Sequence, residues 1–281
     1  MDPIYIIRDA AFGRDFTPKV ITALVGIALV LWDWRTQKRR DYIWVFLVGT
    51  ILWGGAEAFL SIQGIRDMPE RVIAGRPIGL PLSYLIQGMS EGAFIAVVGL
   101  FVGDRYLCRA KRKNAIIIGA IALVALAAAT FRSRRLLDPE AVASRRDILD
   151  TRALIVLLIA CGLGVLFYIV WRQWRPRTMA MFVYMVIFGA VWAATQVAIG
   201  GRWVEVDAAG GGYERAGPLL TLLALSWDVI IEIALAYVIF LAVPVWLRLM
   251  RDPNPLPTCS SPSSATDSPT TATDSPANPV A

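Results

Sequence analysis

The sequence predicts an all-α, polytopic membrane protein: a bundle of seven transmembrane helices with its N-terminus outside and its C-terminus inside. Three observations predict it. Of 281 residues, 57% are hydrophobic and only 18% charged, against about 25% charged in ordinary soluble domains. The apolar residues gather into seven runs long enough to cross a hydrocarbon layer about 30 Å thick at about 1.5 Å per residue. Short clusters of Lys and Arg separate those runs, and the excess of 28 basic over 22 acidic residues, a formal +6, reads as topology rather than as a nucleic-acid footprint.

The first span, Val20 to Trp34, is the shortest, and its terminal tryptophans suit the membrane interface. Its mixed-charge lead, basic exit and lack of a small-residue cleavage site argue against a signal peptide. The others run from Tyr42 to Ile62, Ile78 to Gly103, Ala115 to Phe131, Ala153 to Trp171, Met179 to Ile199, and Pro218 to Leu247. Basic residues divide equally between the two sides, 14 and 14, but 12 acids are interleaved on the N-terminal side. The nearly pure basic loops around Lys38 to Arg40, Arg109 to Lys113 and Arg172 to Arg177 therefore set the cytosolic face.

Residues 1–251 form the span domain. Residues 252–281 turn to Pro, Ser, Thr and Asp with ATDSP twice, a composition that cannot bury a core and predicts a disordered cytosolic tail. The stretch from Ala208 to Gly217 lacks the GK[ST] of a phosphate loop and reads as a flexible connection. No repeat is evident between the halves. Cys108, Cys161 and Cys259 are far apart, so neither a disulfide framework nor a thiolate metal site is expected; Cys108, in a basic loop after a span, is either a free thiol or an acylation site. With no histidine in the chain, imidazole ligands, His bases and His relays are excluded, and no metal or cofactor is expected. Every lysine falls at or beyond a span boundary, which excludes an opsin-type Schiff base.

Four carboxyls fall inside spans: Glu57, Glu91, Asp228 and Glu232. Each costs about 2.5–3.5 kcal/mol at a helix centre, so the default reading is an interior functional site. Asp228 and Glu232 share a helical face. Counted from the outer span ends, Glu57, Asp228 and Glu91 lie at depths of roughly 9, 15 and 16 Å, where they can meet. Gln87, Gln196, Trp53, Tyr84, Trp192 and Trp227 reach similar depths. The rings either pack the core or line a pocket whose π-faces hold a cation. The carboxyls either hydrogen-bond the bundle together or include a proton donor of raised pKa, suited to protonating an alkene or epoxide.

With Trp53-Gly-Gly-Ala-Glu57 in the second span and Ser226-Trp227-Asp228 in the seventh, the layout resembles the integral-membrane terpene cyclases of fungal meroterpenoid pathways, the pyripyropene type, and their bacterial relatives. That resemblance implies a cofactor-free cyclisation of an isoprenoid or meroterpenoid chain, with Glu57 and Asp228 as the essential acids; Glu91 and Glu232 join them on position alone. The expected partners are a lipid-soluble small molecule and the bilayer, in the endoplasmic reticulum of a eukaryote or the cell membrane of a bacterium. The competing reading is a proton-coupled transporter or channel with a carboxyl relay, which the lack of a repeat and of paired broken helices disfavours. A third is a non-catalytic receptor or assembly subunit whose buried carboxyls serve packing.

Overall fold

The computed structural model describes residues 3–67, 70–137, 144–207, 212–256 and 259. The chain opens with strand β1 (Ile4–Arg8) and a single turn, α1 (Ala10–Gly13), before α2 (Thr17–Gln37) and α3 (Asp41–Ile62). Short strands β2 (Arg66–Asp67), β3 (Val72–Ile73) and β4 (Arg76–Pro77) lead into α4 (Leu80–Gln87) and α5 (Ile95–Leu107), which are continuous through a π-helical segment, Gly88–Phe94. Then come α6 (Arg112–Arg132), β5 (Ser144–Asp147), α7 (Thr151–Val170), α8 (Arg175–Ala198), β6 (Arg202–Asp207) and β7 (Tyr213–Arg215). Finally α9 (Pro218–Trp227) passes through a second π-helical segment, Asp228–Leu235, into α10 (Val238–Trp246).

Seven helical stretches are long and apolar enough to cross a membrane, and each overlaps an expected span. Prolines in the first turns of α2, α4, α8 and α9 suit positions whose N–H would go unpaired. Lys38, at φ 57°, ends α2 in the left-handed region. The third and seventh spans form the centre: 78% and 67% of their apolar windows are buried, against 17–39% for the other five. Both centres are interrupted by π-helix, a rare geometry frequent at functional sites.

The connections expected to be plain loops instead pair up. β2, β5, β1, β6 and β7 form, in that order, an antiparallel five-stranded sheet at the end of the bundle where the chain begins. A separate hairpin joins β3 and β4. Of the glycine-rich connection, residues 208–211 lie outside the described residues and β7 occupies part of the rest.

This topology also overturns the expectation of no repeat. Strand, helix, helix, strand, interrupted span is the order of β1, α2, α3, β2 and Leu80–Leu107, and again of β5, α7, α8, β6 and Pro218–Trp246, with α6 as the link. The two units interlock, because β1 pairs with β5 and β6 while β5 pairs with β1 and β2. Exchanging the units leaves the order β2-β5-β1-β6 unchanged. In that exchange Arg8 opposite Arg202 maps onto Arg146 opposite Arg66. The helices follow the same pattern: α3 packs on α10, and α8 on α5. Equivalent positions keep a nearly constant offset: Trp53 and Trp192, Glu57 and Gln196, Pro81 and Pro218, Glu91 and Asp228. The exchange relates β1 to β5 and β2 to β6, so an approximate twofold relation between the units passes through the antiparallel β1–β5 pair.

The cysteine expectation is corrected as well. Cys108 and Cys259 form a disulfide across a sequence separation of 151, leaving buried Cys161 as the free thiol. Spacing along the chain carried no sign of it, because the partner lies in the tail, brought back to the foot of the third span. The remainder of that tail, 260–281, lies outside the described residues.

Candidate functional site: a buried ion cluster between the repeats

The sheet places four arginines, and α2 places Lys19, against the four acids of the apolar spans. Glu57, fully buried on α3, accepts from Arg66 Nη1 at 2.6 Å. Glu91 lies 3.1 Å from Lys19 Nζ, 3.4 Å from Arg8 Nη1, and accepts from Gln87 Nε2 at 2.7 Å. Asp228 accepts from Arg146 Nη2 at 2.7 Å and from Arg202 Nη2 at 2.6 Å. Glu232, one turn deeper, bonds to the other terminal nitrogen of Arg146. The expected meeting of the acids is therefore mediated by cations. Each carboxylate sits on a charge-assisted bond, the arrangement that lets ionised groups persist away from water.

These cations show what the sequence reading missed. Lys19, at the boundary of the first span, is the third residue of α2 and pairs with Glu91. The arginines sit on strands and at strand ends, and were counted as topology signals. The β-branched and aromatic run Ile4-Tyr-Ile-Ile-Arg8 and the alternation in Val204-Glu-Val-Asp207 are strand signals that would have flagged Arg8 and Arg202. Burial works against the charged form of Arg146, but Glu232 and Asp228 outweigh it and hold its guanidinium above the usual range. Arg66 and Arg202 are pushed down by burial, with Glu57 and Asp228 opposing.

The ten expected site residues separate into groups. Gln87 bridges Glu91 and Lys19. Trp192 carries Arg8 over its ring at 5.1 Å and Arg202 at 6.0 Å, and Tyr84 carries Arg71 at 4.9 Å. These faces do hold cations, but the protein's own. Gln196 is fully buried, and among the described residues neither its amide oxygen nor its nitrogen has a partner. Trp227, next to Asp228 in sequence, lines neither cavity at the cluster, and its indole N–H has no partner among the described residues. Trp53 packs edge-on against Tyr237 at 5.1 Å and lines both cavities.

The first cavity, about 10 Å³, lies among Arg8, Arg66, Glu91, Arg146, Asp228 and Trp53, room for about one water. The second, about 260 Å³, runs between α3, α7 and the seventh span and is lined by apolar and aromatic residues except for Arg146, Asp147 and Glu232. Of its lining residues, Leu52, Val156 and Ile159 are exposed at the surface of the bundle. A larger groove of about 710 Å³ between α5, α6 and α8 has no charged lining residue.

A second ionic layer, absent from the sequence reading, closes the opposite end. Arg177 donates to both oxygens of Asp104 at 2.8 and 2.6 Å, Tyr42 Oη adds a bond at 3.0 Å, and Arg105 pairs with Asp33 at 3.2 Å. Asp33 and Asp104, near the ends of the first and third spans, are both buried on helices. Between the layers lies the packed apolar core around Ala93, Val97, Leu100 and Leu241.

No family model, curated protein or solved structure matches this chain.

Proposed function

We propose that the protein is a membrane transporter built from two parallel repeats, with the carboxyls of the two interrupted spans handling a coupled proton or cation. One observation carries this reading. Glu91 and Asp228 each stand ten residues after the proline that opens their span, each in or at the start of a π-helical break, and face the same ion cluster. Interrupted helices at corresponding places in two repeats, with ionisable groups at the repeat interface, are where transporters place their substrate and ion sites. The ionic layers at the two ends then serve as gates. In this reading the sheet end faces outside and the basic loops face the cytosol.

The test is proton uptake into liposomes holding the purified protein and a trapped pH dye. Wild type should acidify the lumen under an inward proton gradient, with Asp228→Asn and Glu232→Gln slowing it. Wild-type uptake no faster than in protein-free vesicles would discard the proposal.

A second reading is favoured by the 260 Å³ cavity. It accepts a hydrocarbon chain from the bilayer and ends on Glu232, which shares its guanidinium with Asp228. Cyclisation of an isoprenoid chain there would use Glu232 as the proton donor, with Glu57 and Asp228 anchoring arginines. Cyclised product from epoxidised or plain farnesyl or geranylgeranyl acceptors, lost in Glu232→Gln, would establish it in place of transport.

A further inference from the structure

The two units differ at one place that bears on the ligand. In the first, Lys19 is the third residue of α2, and its ammonium sits against Glu91 and over the ring of Phe16 at 4.2 Å. In the second, the third residue of α7 is Ala153, and Ala153 lines the 260 Å³ cavity together with Glu232. The equivalence follows from the topology: α2 and α7 both begin at a threonine, Thr17 and Thr151, after the strand that carries Arg8 or Arg146. The four-residue turn α1 accounts for the longer connection in the first unit.

Charge differs in the same sense. Arg8, Lys19 and Arg66 contact Glu57 and Glu91, three cations on two carboxylates, whereas Arg146 and Arg202 contact Asp228 and Glu232, two on two. The second unit thus lacks one ammonium and has an open, mostly apolar cavity lined by Ala153 that ends on Glu232, one turn beyond Asp228, the counterpart of Glu91. We propose that this cavity binds a membrane-resident long-chain primary amine, its ammonium on Glu232 and its chain between α3 and α7. The indole of Trp53 and the rings of Tyr237 and Phe240, all lining the cavity, supply π-faces for the cation. As the substrate class of the transporter this rests on the preceding section; as a binding site it stands alone.

The experiment uses the full-length protein in phosphatidylcholine nanodiscs and a dodecylamine with a diazirine in its chain, read by intact mass and peptide mapping. One label per protein is expected, on α3, α7 or α10. Unlabelled dodecylamine should compete at least about tenfold better than dodecanol or dodecanoate, the factor a charge-assisted bond supplies. Ala153→Lys should abolish labelling by filling the cavity with its own ammonium, and Glu232→Gln should weaken it about tenfold or more. Lys19→Ala protein that keeps the first label should gain a second, on α2. Equal competition by alcohol and amine, undiminished labelling in Glu232→Gln, or a single label in Lys19→Ala would overturn the proposal. Specific binding without amine flux in liposomes would retain the site and reject the transport reading instead.

Discussion

Arg146 is the residue on which the cluster turns, because one guanidinium serves two carboxylates on the same helix face. Removing it leaves Glu232 without its cation and Asp228 with Arg202 alone. Breaking a buried pair from one side costs about 3–5 kcal/mol, whereas replacing all partners by apolar groups of similar volume is often neutral. Arg146→Ala should accordingly lower the melting temperature in detergent sharply, and adding Glu232→Met to Arg146→Met should recover much of the loss. A double variant no more stable than Arg146→Met would show that the pair is not an isolated energetic unit. At this scale the sequence was most legible for the acids: a carboxyl in an apolar run is conspicuous because it is expensive. Their partners were not, because an arginine on a strand outside the membrane looks like any loop arginine until the strand is paired.

The tightest helix contact is between α3 and the first π-helical segment, and glycines permit it. A Cβ on Gly92 would lie 2.4 Å from Trp53 Cβ and 2.9 Å from the Gly49 carbonyl oxygen, whereas one on Gly55 would meet nothing within 4 Å. Gly92→Ala should therefore destabilise by about 1–3 kcal/mol through overpacking, and Gly55→Ala should be close to neutral, as thermal unfolding of the two variants would show. Equal melting points would mean that Trp53 yields easily. All seven spans were readable from hydropathy, since an apolar run flanked by charge has few alternatives. The π-helical breaks and the strands were not: the breaks leave the apolar pattern intact, and strands of two to six residues are decided by partners far along the chain.

At the scale of the molecule the repeat was hidden because the units agree at only a few positions, Trp53 with Trp192 and Arg8 with Arg146 among them. The interlocked strands predict that residues 1–137 and 144–281 are each protease-sensitive when expressed alone and resistant when co-expressed. A resistant single half would contradict the interlock. The disulfide bears on orientation. With the basic loops in a reducing cytosol, Cys108 and Cys259 should be dithiols in cells quenched with an alkylating agent and linked only after oxidation. A linked pair in quenched cells would instead put that face in an oxidising compartment and reverse the topology.

The placement of β1 also sets a timetable for synthesis. Its partners β5 and β6 begin at Ser144 and Arg202. β1 is thus made well before either partner, and its two edges stay unpaired until Asp147 and Asp207 respectively have been made. Long-range pairing of this kind is slow and open to wrong partners, and during that interval a second nascent copy could donate its own β5. Strand exchange between neighbouring copies is the assembly error to which this architecture is most exposed.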